Sequence, residues 1–340
     1  MTRLLFIYPA FLLLLTACSK ESTDNAPTVQ LPLLWVPVGF PEPQLPSDNE
    51  FTTARFALGK RLFFDTVMSR DSSVSCASCH DPQRAFSDSV AYSTGSRGRA
   101  GTRNAPTLTN VAYQPYFTRE GGVPTLEMQI LVPIQEHNEF DFNLLLIAER
   151  LRTDTSYVRM SREAYGREPD YYIVTRSIAC FERALISGNS RFDQYYFQGN
   201  GSVLAPAEKR GMELFFSDKT HCSDCHQGFN FTNYTFENNG LYEVYPDPGR
   251  YRLTGDSLDV ARFKVPTLRN IALTAPYMHD GSFSTLEAVV SHYNSGGKNH
   301  QNKSRYVREL GLTSREMDDL LAFLRSLTDQ QFISNPTFRQ

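Results

Sequence analysis

The five residues Cys76-Ala77-Ser78-Cys79-His80 return 146 positions later as Cys222-Ser223-Asp224-Cys225-His226, in a chain of 340. A zinc ribbon or a redox dithiol can use Cys-x-x-Cys, but neither requires the adjacent His, and neither requires it twice. Cys-x-x-Cys-His is the attachment signature of c-type haem. Two thiols add to the two vinyl groups of one porphyrin, and two intervening residues on one helical turn span the vinyl separation. The next residue, His, then falls beneath the iron and supplies its nitrogen. Two covalent haem c groups are therefore expected, held by Cys76, Cys79, Cys222 and Cys225, with His80 and His226 as proximal ligands.

The repeat is longer than the pentads. Upstream, "ALGKRLFFDTVMSRDSSVSCASCH" parallels "AEKRGMELFFSDKTHCSDCH". Downstream, "PTLTNVAYQPYFTREGGVPTLE" from Pro106 parallels "PTLRNIALTAPYMHDGSFSTLE" from Pro266. Pro106 to Leu126 and Pro266 to Leu286 are both 20 residues. The chain reads as two homologous haem domains in tandem, residues 48–198 and 199–327, with a tail at 328–340. Helix signals cover Asn49 to Phe63, Tyr171 to Ser187, Ala205 to Phe215, Leu286 to Tyr293 and Ser314 to Leu327, the last opening on a capping box near Ser314–Met317. Strand alternation is scarce. The expected fold is mostly α, two tandem cytochrome c-like domains with long loops and haem filling much of each core.

Residues 1–18 stand apart. Arg3 precedes an apolar run from Leu4 to Leu15, too short to span a bilayer, which reads as a secretory signal. "LTAC" resembles the bacterial lipoprotein cleavage box, which makes Cys18 a lipidation site and places the protein in the periplasm, anchored to the membrane by lipid alone. Residues 19–47 read as a tether whose Pro-rich part is extended. Cys180, in a helical apolar run, reads as a buried small hydrophobe. With a net charge of -3, nothing argues for a nucleic-acid partner.

The copies differ where chemistry is decided. Aligned on Thr125 and Thr285, the first half has Pro133 where the second has Tyr293. One haem then faces a side chain able to ligate iron, and the other faces one that cannot. The first site reads as open to a small molecule, the second as closed and electron-transferring. Beyond Pro133 lies "IQEHNEF". A carboxylate such as Glu139 over an open haem can take a proton from hydrogen peroxide and return it to the departing oxygen. Glu136 and His137 compete for that role, and a solvated surface Glu is the plain alternative.

From about residue 50 to 330 the chain resembles the bacterial di-haem cytochrome c peroxidase family, which includes the di-haem enzyme MauG. The resemblance is carried by "GKRLFFD", "SCASCHDPQRAFSD", "RNAPTLTN", "LEMQILVPIQEHNEF", "FERALISGNSRFD", "FKVPTLRNIALTAPYMHDGSFSTLEAVVSHYNSGG" and "LLAFLRSLT". It implies a peroxidatic N-terminal haem and an electron-transfer C-terminal haem. It places Glu139 on the family's distal catalytic Glu, and Gln129 and Pro133 on its pocket neighbours. Asn104, Thr274 and Pro276 fall on positions that hold a calcium ion between the domains. Three departures stand out. The loop "STGSRGRAGTRN" has no His, whereas many relatives have one there that blocks the peroxidatic haem. Arg119 takes the place of a Trp between the haems. Tyr293 stands where standard peroxidases have Met and MauG has Tyr, with His292, Met278 and His300 as rival ligands. His279 is placed near the second haem.

The leading expectation is a peroxidase reducing hydrogen peroxide to water, with a small cytochrome c or cupredoxin as donor. A MauG-like oxidase acting on a protein or small molecule through a high-valent haem is the alternative. A pure electron carrier is the third. Oligomeric state, a homodimer included, stays open.

Overall fold

A computed structural model describes residues 33–340. The signal, the lipidation site Cys18 and residues 19–32 lie outside the described residues. Among the described residues no helix is long and apolar enough to cross a membrane.

The first half begins with helix α1, Thr53–Phe64, and continues through α2, Leu126–Gln129, and α3, Leu131–Gln135. Then come α4, Leu144–Arg152, α5, Thr155–Tyr165, α6, Tyr171–Arg183, and α7, Arg191–Tyr196. The second half contains α8, Pro206–Phe215, α9, Cys222–Cys225, and α10, Tyr251–Thr254. It ends with α11, Leu286–Asn294, and α12, Ser314–Ser326, and the expected tail at 328–340 is instead packed: α13, Gln330–Ser334, returns to the first half, where Phe332 lies 5.8 Å from Phe86 and is buried with Phe338. One two-residue antiparallel pair, Phe236–Glu237 with Phe263–Lys264, accompanies them. The mostly helical class expected from the sequence is what the structure shows.

Helix limits differ from expectation where side chains compete. The first helix starts four residues after Asn49, because Thr52 is its cap and accepts from the Arg55 amide at 3.2 Å. Asn49 is instead a buried spacer, donating to Glu127 at 2.8 Å and to the Arg176 carbonyl at 3.0 Å. α6 stops at Arg183, short of Ser187, whose amide is taken by the Asn110 side chain at 2.7 Å. The box at α12 is Thr313 with Glu316, one residue earlier than expected.

Each half is built on a triangle of phenylalanine rings. In the first, Phe63 lies 4.9 Å from Phe181 and 5.9 Å from Phe86. In the second, Phe215 lies 5.2 Å from Phe323 and 5.9 Å from Phe231. Phe63 and Phe215 come from the repeated Leu-Phe-Phe, Phe181 and Phe323 from the closing helix of each half. All six are buried, and tilted or edge-on pairs of this kind suit the ring quadrupole. In both halves the opening helix crosses the closing helix at a glycine. A Cβ on Gly59 would lie 1.8 Å from the Ser177 carbonyl, and one on Gly211 would lie 1.9 Å from that of Asp319.

The two halves meet along a polar seam made by the repeated Pro-Thr-Leu-x-Asn. Asn110 donates to the Ser187 carbonyl and to Asn230, both at 3.0 Å. Asn270 donates to the Ser187 hydroxyl at 3.0 Å and accepts from the Asp329 amide at 2.8 Å. Both Asn have φ +58, a left-handed turn that Asn tolerates better than most residues. Behind the seam, Arg269 and Asp193 form a fully buried bidentate pair at 2.8 and 2.9 Å. Such a pair is strongly destabilising when only one partner is removed.

The tether reading of 19–47 needs correction over residues 33–47. The segment is free of helix, as its prolines require, but it is a strap packed on the body. Phe40 rests against Tyr113, Phe197 and Phe229 and covers the Arg269 guanidinium at 4.5 Å. Pro37 and Pro43 are buried, with Pro37 seated where Gly188 has no side chain. Apolar surface on these prolines and Phe40 outweighs the freedom a linker keeps.

Gly59→Ala and Gly211→Ala should each destabilise the holoprotein by about 1–3 kcal/mol, although Ala is normally the better helix former by about 1 kcal/mol. Urea unfolding followed by far-ultraviolet circular dichroism checks this. Stabilisation by either substitution would show that the helices can part at no cost.

Candidate di-haem site

In the first pentad, Cys76–Ser78 form one tight turn, and the His80 amide closes back on the Cys76 carbonyl at 3.0 Å. The second pentad does the same in α9, with His226 on Cys222 at 2.9 Å. The imidazoles are fixed alike. Nδ1 of His80 donates to the Phe86 carbonyl at 3.0 Å, and Nδ1 of His226 donates to that of Phe231 at 3.0 Å. The tautomer this sets leaves Nε2 with a free lone pair, the form that ligates metal. Burial lowers both imidazoles below the usual His range, against the opposing pull of those hydrogen bonds. None of the four cysteines is paired in a disulfide. Burial pushes Cys79 and Cys222 up to about 11 and Cys225 to about 12, and raises Cys76 well above its usual value. Among the described residues no cluster of His, Cys, Asp and Glu could hold a bare metal ion. A donor set of neutral thiol pairs, each with one oriented imidazole, fits covalent haem.

The distal sides differ as the aligned register implies. Thr125 and Thr285 cap equivalent helices, accepting from Met128 at 3.2 Å and Ala288 at 3.1 Å. α11 then runs unbroken to Asn294 and carries Tyr293. Its counterpart breaks at Ile130 into α2 and α3. Pro133 has no N–H to continue the ladder and its ring crowds the carbonyl of residue 129. The chain then turns so that the Phe140 amide meets the Pro133 carbonyl at 3.1 Å, which brings Glu139 back over the same side.

Glu139 is exposed, yet the protein atoms crowded round its carboxyl raise it to about 7, with the like charge of Glu136 as a second cause. Its charge reaches both Cys76 and Cys79. Glu139 thus lies within electrostatic range of the first attachment pair. The competitors Glu136 and His137 are exposed, as Glu139 is, but His137 faces Asp141 at 3.4 Å. Gln129 holds a buried Oε1 without a protein partner.

Sequence reasoning missed what holds Glu139. The loop without a His is locked under it. Ser96 donates its amide to the Glu139 carbonyl at 2.7 Å and its hydroxyl to that of Phe140 at 3.0 Å. Gly95 lies so close that a Cβ would fall 2.1 Å from the Asn138 carbonyl. Arg99 and Arg70 clamp Asp141 at 2.7 and 2.8 Å. Only the loop's abundance of Gly and Ser hinted at close packing.

On the second side, burial raises Tyr293 to about 12 against a hydrogen bond with the Asn239 side chain that pulls it down. His292 is tied down, its Nε2 donating to the Asn239 carbonyl at 2.9 Å. The Met278 sulfur accepts from Asn239 at 3.1 Å, and His300 binds Asn238 and the Asn302 amide. His279 is buried and stacked on Phe263 at 4.2 Å. Cys180 is fully buried, its thiol towards Asn49 at 3.6 Å.

Comparison with known proteins gives the family. The family model for di-haem cytochrome c peroxidase matches residues 53–202, and that for cytochrome c matches 208–328. The methylamine utilization protein MauG of Methylorubrum extorquens is 35% identical over 319 residues, 92% of this chain and 90% of that protein. The chain belongs to the di-haem cytochrome c peroxidase/MauG family. The cytochrome c551 peroxidase of Nitrosomonas europaea is 31% identical, covering 81% of this chain and 80% of its own. A solved MauG-like protein associated with microbial copper homeostasis superposes with a TM-score of 0.85 at 35% identity, over 89% of this chain and 97% of that one. Like other members, the chain is an oxidoreductase of the di-haem, c-type class.

Calcium is the ion expected at Asn104, Thr274 and Pro276. A hard cation needs free oxygens. The Asn104 main-chain oxygen instead accepts from Arg119 at 2.6 Å, and its side-chain oxygen lies 3.4 Å from the same nitrogen.

A pyridine haemochrome assay should give two haems per chain, and one after joint replacement of Cys222 and Cys225 by Ala. One haem in the wild type would overturn the tandem assignment.

Proposed function

We propose that this protein reduces hydrogen peroxide to water at its N-terminal haem, with electrons entering through the C-terminal haem from a small cytochrome c or cupredoxin. The observation that carries the reading is the turn after Pro133: the proline leaves its helix without a ligating side chain, and the chain returns with the Phe140 amide on the Pro133 carbonyl at 3.1 Å and Ser96 on the Glu139 carbonyl at 2.7 Å, which fixes Glu139, a carboxyl raised to about 7. When bound, the haem iron supplies an electrophilic site for peroxide and passes in the electrons. The chain supplies the protons. Glu139 as carboxylate takes the proton from the near oxygen and returns it to the departing oxygen, which leaves as water. Two further protons and two electrons complete two waters per peroxide. The unpartnered Gln129 Oε1 is an acceptor for a peroxide or water hydroxyl. His80 holds its Nε2 in place through the Phe86 carbonyl. On the other half Tyr293 is the proposed sixth ligand, because it holds the register position opposite Pro133; its rivals His292 and His300 are bound to main-chain groups, and Asn239 reaches both the Met278 sulfur and the Tyr293 hydroxyl. A phenolate favours the ferric state relative to Met.

Tyr293 also favours a second reading, a MauG-like oxidase acting on a protein or small molecule. Steady-state peroxide consumption with reduced cytochrome c separates the two. Fast turnover supports the peroxidase, and slow turnover with peroxide-dependent oxidation of another substrate supports the oxidase. The proposal includes export, with lipid attachment at Cys18.

Glu139→Gln should lower kcat/KM for peroxide by about a hundredfold to ten-thousandfold, with both haems retained. In the wild type, kcat/KM should fall about tenfold per pH unit below about 7, as Glu139 becomes protonated and can no longer accept the proton. The variant should lose that limb. Activity within about threefold of wild type would remove Glu139 from the role.

The Ser96 latch predicts a site that needs no activation. The oxidised enzyme should show a high-spin ferric signal by electron paramagnetic resonance and react with peroxide immediately on stopped-flow mixing. Two low-spin signals and a lag until reduction would mean that another ligand closes the site.

A further inference from the structure

The seam between the two haem domains contains a cation that belongs to the chain. Arg119, in the turn closed by the Phe117–Val123 bridge, points its guanidinium at Asn104. Nη2 donates to the Asn104 main-chain oxygen at 2.6 Å and faces its Oδ1 at 3.4 Å. Asn104 is buried and rigidly held. Its amide donates to the His279 carbonyl at 2.9 Å, and its side-chain nitrogen donates to the Val90 carbonyl at 3.2 Å, which turns Oδ1 towards Arg119. Both oxygens that Asn104 could offer a metal are therefore directed at a guanidinium.

The surrounding charges are already matched. Asp247 is bidentate with Arg103 at 2.6 and 2.8 Å, Glu120 pairs with the same Arg103, and Asp280 accepts from the Tyr242 hydroxyl at 2.6 Å. No carboxylate near Arg119 is left unengaged for a divalent ion. The site presents an unused donor instead, since Arg119 Nε is buried without a protein partner. Burial, with Arg103 beside it, brings the guanidinium down to about 10, still charged at neutral pH. That charge in turn adds to burial in lowering Lys264 to about 7. A divalent ion sharing the Asn104 oxygens would meet Arg119 at contact distance in a poorly screened seam.

We infer that Arg119 is the interdomain cation of this protein, replacing calcium on the Asn104 oxygens, so that the holoenzyme is indifferent to calcium. The inference is independent of whether peroxide or another molecule is the physiological substrate, because its test reads metal content and haem spectra.

The holoprotein, dialysed against calcium-depleted buffer, should contain less than about one tenth of a calcium ion per chain by plasma mass spectrometry. Excess EGTA should leave the absorption and paramagnetic resonance signals of both haems unchanged. One tightly held calcium per chain, or a chelator-induced change reversed by calcium chloride, would overturn the inference. Arg119→Gln releases both oxygens and should gain calcium binding, seen by titration calorimetry with calcium chloride, whereas wild type gives no heat. Arg119→Lys keeps the charge and should stay silent. An Arg119→Gln protein with both haems and no calcium binding would show that Arg119 is not what excludes the ion.

Discussion

Everything functional in this molecule depends on one linkage made twice: a buried phenylalanine ring, its own main-chain carbonyl, and an imidazole N–H. Phe86 and Phe231 anchor their rings in the aromatic triangles and adopt φ of +60 and +49. That turn aims each carbonyl at Nδ1 of the preceding pentad's His. The strain of a left-handed bulky residue, of order 1–3 kcal/mol, is tolerable because the ring is wholly enclosed. Hydrophobic packing is thereby converted into the tautomer and direction of a metal ligand. Each imidazole is aimed by the protein itself.

On that common frame the two halves diverge through small changes. Pro133 breaks the helix that runs unbroken under Tyr293, and the freed chain folds Glu139 back. Glu127 and Glu287 occupy the same place in the repeat. Glu127 is buried with Arg183 and Asn49, whereas Glu287 is exposed with Arg325. The N-terminal half thus carries a buried charge network behind its altered helix. Glu182, also buried there and raised to about 8 by its burial, adds to it. A buried polar network is costly if any member is unpaired, so its presence marks the half in which geometry is most tightly specified.

Much of this was legible in the sequence because the decisive signals are local. A five-residue pattern fixes the attachment sites, and the repeat fixes the domain order. A helical register of eight residues places Pro133 against Tyr293. Other features depend on contacts between segments far apart in the chain, and no local pattern encodes them. Asn49 looked like a helix start and is a strut to Glu127. Residues 33–47 looked like a tether and are a strap, because their partners, Arg269 and Phe229, lie some 190 positions or more away. The meeting of Arg119 and Asn104 required the fold of the seam. The absence of a His in the 93–104 loop was visible, but not that Ser96 and Gly95 would use the space to hold Glu139.

The glycine crossings have a bearing on electron flow. At Gly59 and Gly211 one helix backbone lies directly on another, and neither can rock without opening a gap in a solid interior. A redox centre exchanges electrons fastest when its surroundings scarcely move between the oxidised and reduced states. By removing the side chain from the point where the helices touch, each half gains a frame with little freedom to reorganise around its ligand. A missing methyl group, repeated once per domain, thus lowers the nuclear rearrangement that accompanies each electron transferred.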